Sequence, residues 1–163
     1  MAGIAYDTYT ALTVTNLQSL ANDSTDPFGA WQSAIVDNRT ELAVDREFRI
    51  HLPTAATAPA NDQVVYVYLI PWVHDGTNWL PGANFGTTTL PTGSEGTASI
   101  SEPNSMYRVA LPYKVTSQIV QGYVTVLGAF SMHPDGVSVA IRNCSGAALS
   151  TGCAVSHRPV TYG

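Results

Sequence analysis

Leu42-Ala-Val-Asp-Arg-Glu-Phe-Arg-Ile-His-Leu52 alternates apolar and polar side chains with a period of two. Leu42, Val44, Phe48, Ile50 and Leu52 share one face, while Ala43, Asp45, Glu47, Arg49 and His51 share the other. Successive side chains of an extended chain point to opposite sides, so this stretch predicts a half-buried β-strand. Arg46 is the exception, a cation on the apolar side.

The same pattern recurs in both directions. Ile119 to Phe130 reads as a strand with Val120, Val124, Val126 and Phe130 inward and Gln121 and Thr125 outward. Val137, Val139 and Ile141 alternate with Ser138, Ala140 and Arg142. Tyr6 to Val14, Trp31 to Val36, Tyr107 to Leu111 and Val155 to Tyr162 are shorter strand candidates. Pro159 lies inside the last, which predicts an edge strand or a bulge because proline has no N–H to give a ladder. Gln63 to Val73 differs. Val65, Val67 and Leu69 form one apolar side, and Tyr66, Tyr68, Ile70 and Trp72 form the other. Such a strand is central in a sandwich or covered by a partner.

Turn chemistry separates these runs: Asp26-Pro27, Asp75-Gly76, Pro81-Gly82, Pro91-Thr92-Gly93, Pro103-Asn104 and Pro134-Asp135-Gly136. His74 to Asn78 reads as a hairpin tip. No helix beyond a turn or two near Asn16 to Ala21 is expected. Many short strands with such turns predict an all-β fold, an antiparallel β-sandwich or jelly roll. Residues 1–30 read as an N-terminal arm, with Asn22 to Pro27 as its joint, and residues 31–163 as the sandwich domain. The strand-like arm has two options, addition to a neighbour's sheet edge or return as an edge strand of its own sandwich.

Charged residues make up 12% of the 163-residue chain, about half the usual share for a soluble domain. So poorly charged a surface predicts a protein packed against copies of itself or a partner. The seven basic residues are scattered from Arg39 to Arg158, whereas a phosphate backbone demands several cations on one face. Nucleic-acid binding is not expected. No apolar run approaches the length of a membrane span, and Met1 to Leu20 lacks the features of a Sec-type signal.

Chemistry-bearing residues are dispersed. His51, His74, His133 and His157 stand in four separate elements, without the local spacings of metal ligands. His74 and His133 each adjoin a turn with Asp75 or Asp135, and read as exposed turn residues rather than a cation bridge. There is no Gly-x-Ser-x-Gly elbow and no phosphate-cradling glycine loop. No enzymatic activity, cofactor or metal is expected. Cys144 and Cys153 flank turn material, Ser145 to Gly152, leaving two possibilities: a disulfide closing a loop between adjacent strands, or two reduced thiols. A bridge would contribute about 2–3 kcal/mol. Tyr66, Tyr68, Trp72 and Trp79 read either as an interface patch, where Tyr and Trp are enriched, or as one wall of the core. With Tyr9 of the arm they are the candidate contact residues.

From Trp31 onward the chain resembles small proteins of tailed phages. The stretches that carry the resemblance are Ala30 to Ala34, Tyr66 to Gly76 with Trp79, Thr87 to Thr97, Pro134 to Gly146, and Val160-Thr161-Tyr162. These proteins are similar to capsid decoration, or cement, proteins. The resemblance implies a structural virion protein on the outer capsid surface, made in the host cytoplasm. It would stabilise contacts between subunits of the major capsid protein as a homo-oligomer, a trimer being one form. It implies no catalytic or ligand residues. The other reading is a tail- or fibre-associated carbohydrate-binding module, with Trp72 or Trp79 stacking on sugar rings.

Overall fold

In the computed structural model the described residues are 3–23, 28–41, 43–54, 63–82, 93–100, 107–112, 119–130 and 133–162. Leu42, Lys114, the Asp26-Pro27 and Pro103-Asn104 turns, and most of Thr87 to Thr97 lie outside them. Along the chain run β1 (Ile4–Tyr6), β2 (Thr10–Ala11), a 3-10 turn (Thr15–Leu17), β3 (Phe28–Gln32), β4 (Val36–Asp37), β5 (Asp45–Pro53) and β6 (Val64–His74). There follow β7 (Trp79–Pro81), β8 (Gly96–Ile100), β9 (Tyr107–Pro112), β10 (Ile119–Thr125), α1 (Val126–Phe130), β11 (Gly136–Cys144) and β12 (Ala154–Tyr162).

These strands build two antiparallel sheets. The first has the order β1-β12-β5-β10, with β2 also on β12; the second has the order β7-β6-β11-β3-β8, with β9 on β6 and β4 on β11. The chain is an all-β antiparallel sandwich. Phe48, Ile50 and Leu52 of β5, Val124 of β10 and Val155 of β12 face Trp31, Val65, Val67, Leu69, Val137, Val139 and Ile141 of the second sheet. Each of these large side chains, fully buried, contributes roughly 1.5–3 kcal/mol of transfer free energy. Where the sheets converge, Leu111 of β9 packs on Gly122 of β10 so closely that an added Cβ would lie 2.6 Å from a leucine methyl.

β6 and β11 are interior strands buried on both faces. Behind the second sheet, Tyr68, Ile70 and Trp72 pack with Ala30 and Ala140 in a further apolar cluster, joined by Ile35, Tyr66 and Trp79. The two-sided apolarity of Gln63 to Val73 is thus satisfied within one chain, with no partner needed to cover Tyr68 or Trp72.

Three details differ from the strand pattern. The stretch Ile119 to Phe130 stops being a strand at Thr125, because the Asp45 Oδ1 accepts from the Leu127 N–H at 2.8 Å and supports a helical turn there. Trp31 to Val36 is broken into β3 and β4 at Ser33, whose N–H and hydroxyl both bond Val139, to its carbonyl at 2.8 Å and from its N–H at 3.0 Å. Pro159 stands in an interior strand rather than at an edge. Its carbonyl accepts from Asp7 N–H at 3.3 Å, and its nitrogen, which points the same way along an antiparallel strand, falls between the partners supplied by β1 and β2.

The described residues before 31 pair and pack with the sandwich. β1 pairs Ile4 with Tyr162 and Tyr6 with Val160, and β2 pairs Thr10 with His157. Leu17 is fully buried in the core. The boundary expected after residue 30 falls inside β3.

Candidate functional site: the tyrosine face of the first sheet

Antiparallel register lays polar and aromatic side chains in rows across the outer face of the first sheet. Tyr123 lies opposite Arg49, and Arg49 opposite Ser156. The next rows hold Gln121, His51 and Ala154 on one side and Thr125, Glu47 and Arg158 on the other. Tyr6 of β1 and Tyr9, just before β2, lie on the same face beneath Arg158.

Glu47 organises one half. The Tyr9 hydroxyl donates to its carboxylate, and Arg158 Nη2 donates to Oε2 at 3.1 Å and Oε1 at 3.3 Å. The Arg158 guanidinium lies over both Tyr6 and Tyr9, 4.7 Å from each ring centre. Arg49 covers Tyr9 at 5.1 Å. Cations over aromatic faces are held by the ring quadrupole, at roughly 0.5–1 kcal/mol each on a surface. Burial pushes the Tyr9 phenol up, and the hydrogen bond to Glu47 and that carboxylate's charge push it further, to about 12. Burial alone would raise Glu47; the bonds from Tyr9 and Arg158 outweigh it and hold the carboxyl below its usual range. Tyr9 is a donor, and Glu47 an anion, at neutral pH.

The other half is open. Tyr123 is 63% exposed, and a groove of about 420 Å³ runs beside it, lined by Arg49, His51, Gln121 and Ala154 over the backbone of Ile50 and Gly122. Gln121 Nε2 and His51 Nδ1 are hydrogen-bonded at 2.8 Å. Ile4, Tyr6 and Tyr162 continue the exposed apolar surface on β1 and β12.

Of the candidate contact residues, Tyr9 alone lies here. Tyr68 and Trp72 are 2% and 1% exposed and are core; the Trp72 indole N–H donates to the buried Ser138 hydroxyl at 2.8 Å. Their reading as surface contacts is corrected accordingly: their face of the central strand, behind the second sheet, is covered within the chain by the cluster with Ala30, Ala140 and Ile35. Tyr66 is half-buried beneath Arg108, 5.0 Å from its ring centre. Trp79 is half-buried between Arg39, 4.7 Å above its ring, and the edge of His74 at 4.8 Å. Tyr6, Arg49, Tyr123 and Arg158 were not among the candidates. Tyr123 shares the outward parity of Gln121 and Thr125, a signal that was present in the alternation.

The cysteines are thiols, not a disulfide. Cys144 ends β11 in the second sheet and donates to the Asp23 carbonyl at 3.3 Å, while Cys153 lies in the core before β12 and donates to the Ser150 carbonyl at 3.2 Å. Burial raises the Cys153 thiol to about 11, which keeps it protonated and unreactive.

The histidines are spread over the fold. His51 lines the groove. His74 and Asp135 meet only where the His74 N–H donates to Asp135 Oδ2 at 3.0 Å. His133 and His157 are largely buried near Arg46. Among the described residues no three His, Cys, Asp or Glu side chains converge in a way that would hold a metal ion, and no helix is long and apolar enough to cross a membrane.

Neither a protein-family model nor a curated protein matches this chain. Fold and surface together define its class: an antiparallel β-sandwich presenting tyrosines and arginines on one sheet face.

Proposed function

We propose that this is a structural protein of a phage virion that attaches to the outer surface of the assembled capsid through the tyrosine face of its first sheet. The observation that carries the reading is this face itself. Tyr and Arg are the side chains that most often supply the strong contacts of an interface. Here they stand on strands, where little conformational freedom remains to be lost on binding. The low charge of the chain and its resemblance to capsid decoration proteins support the same reading. Modest contacts repeated over many symmetric sites would clamp neighbouring subunits of the major capsid protein.

The test is co-sedimentation of purified protein with capsid shells. Tyr123→Ala and Arg49→Ala should each weaken binding by about thirtyfold if they are strong contacts, while Leu80→Ala on β7 should leave it unchanged. Full binding by both face variants would sink the reading.

The groove beside Tyr123 favours a second reading, a carbohydrate-binding module of a tail or fibre. Trp72 is buried and cannot stack on a sugar, so Tyr123 takes that part, with Gln121 and His51 as hydroxyl partners. Antibody labelling on tails, with tyrosine-dependent retention on host surface polysaccharide, would favour it over the capsid.

A further inference from the structure

Arg46, the cation on the apolar side of β5, is fully buried in the fold. A buried guanidinium needs acceptors, because its charge cannot be discarded and all its polar atoms are donors. Two are present. Nη2 bonds the carboxylate of Glu41, in the turn after β4. Nη1 bonds Nδ1 of His157 on β12 at 2.7 Å. Since arginine supplies the hydrogen, Nδ1 must be the acceptor, so His157 is a neutral imidazole carrying its proton on Nε2. Phe48 packs against the ring, with centroids 6.0 Å apart.

A second histidine shares the neighbourhood. His133 Nδ1 lies 2.8 Å from the Pro134 carbonyl and donates to it; its buried Nε2 has no partner among the described residues. The ionisable groups around the pair are Arg46 and Asp45 of β5 and Glu41 of the turn. α1 and β2 contribute none. Asp45 is already engaged by the N–H groups of Arg46 and Leu127. At neutral pH the buried guanidinium is therefore paired directly with one carboxylate, that of Glu41, whose side chain is 46% exposed.

We infer that Arg46 and His157 form an acid-released latch at this end of the sandwich. A proton on His157 Nδ1 removes the acceptor and sets a second cation against Arg46, with Glu41 alone to offset both. The elements fastened there come away while the rest of the fold stays closed. These are the turn through Glu41, tied to the other loop by the bond from Asn38 N–H to the Asp135 carbonyl at 2.8 Å, together with α1 and the residues around His133.

The direction follows from linkage. Burial, then the charge of Arg46, lowers His157 from 6.5 to about 4 in the closed form, and burial lowers His133 as well. The opened form binds protons more readily, so closure is complete above the ordinary histidine value and weakens as pH falls from there toward 4. Between pH 7 and 5, where ordinary carboxylates keep their charge, His157 alone shifts the opening equilibrium by about twentyfold.

Amide hydrogen exchange on the full chain at pH 7 and pH 5, corrected for intrinsic rates, reads this directly, with histidine NMR titration beside it. The expected result is that protection falls about twentyfold at residues 37–41, 43–46, 126–130 and 133–135, and not in β6 or β11, with His157 titrating near 4. His157→Asn offers Arg46 an acceptor that never charges, and should remove the twentyfold part of the response that His157 supplies. The latch is refuted if wild-type His157 titrates at its ordinary value with unchanged exchange, or if His157→Asn opens as the wild type does. It is equally refuted if His133→Gln alone removes the response. Should His157→Asn fail to fold, the wild-type titration and exchange decide.

Discussion

Asn16 donates both its backbone N–H and its side-chain amide to the Glu95 carboxylate, each at 2.8 Å. The same carboxylate accepts the Trp31 indole N–H at 2.8 Å. Three donors thus join the 3-10 turn, β3 and the residue that precedes β8. Burial alone would raise Glu95, but these bonds outweigh it and hold the carboxyl below its usual range. A carboxyl held low contributes stability above its unfolded value and loses it as pH falls. Glu95→Gln should therefore lower stability at pH 7 and narrow the difference from wild type on acidification, as read by urea unfolding at pH 7 and 3.

Leu17 anchors the N-terminal segment in the core, which makes that segment part of the fold. Leu17→Ala should cost about 2–5 kcal/mol, lowering Tm by roughly 5–15 °C. Deletion of residues 1–21 should expose the edge of β12 and leave a largely unfolded chain by circular dichroism. A truncated protein with unchanged Tm would show that this segment is dispensable.

Trp72 separates a core role from a contact role. Trp72→Phe leaves the Ser138 hydroxyl without its donor and should cost about 1–3 kcal/mol. Trp72→Ala should cost about 3–5 kcal/mol. At temperatures where these variants remain folded, their binding to any partner of the first sheet should equal that of wild type.

The thiols predict a chemical pattern. In the native protein Cys153 should resist a thiol reagent, and both cysteines should react after unfolding without reductant. Cys153→Ser should be destabilising because it sets a more polar group in the core. One or no titratable thiol after unfolding would contradict the observed arrangement.

Tyr9 carries an alkaline signature. Its phenol is raised in the folded protein, so the stability linked to its proton is full below 10 and is lost as pH rises toward 12. Tyr9→Phe has no such proton, and its unfolding midpoint should fall less steeply over that range.

Much of the sandwich was legible because burial on one side writes a period of two into the chain. Phe48, Ile50 and Leu52 were placed correctly from alternation alone, and the His74 to Asn78 tip forms, with Asp75 Oδ1 accepting from Thr77 N–H at 2.8 Å and Asn78 N–H at 2.7 Å. The surface was less legible. Tyr66 to Trp72 stood out by density of aromatics, yet a strand apolar on both sides is one enclosed on both. The tyrosine face is assembled from residues as distant as Tyr6, Glu47, Tyr123 and Arg158, and only the register of four strands brings them together. Arg46 was visible as an exception to the pattern; its partners His157 and Glu41 were not, since nothing local links them.

The pairing of Ile4 with Tyr162 has a consequence for how the chain acquires its shape. β1, β2 and β5 all take β12 as a neighbour, and β12 is the last of these four to be synthesised. On a ribosome β1 and β2 must wait, unpaired, until the chain has emerged as far as Tyr162. Closing contacts across so many residues is slow, so folding should be late and cooperative rather than progressive, with the first sheet completed by the arrival of its central strand.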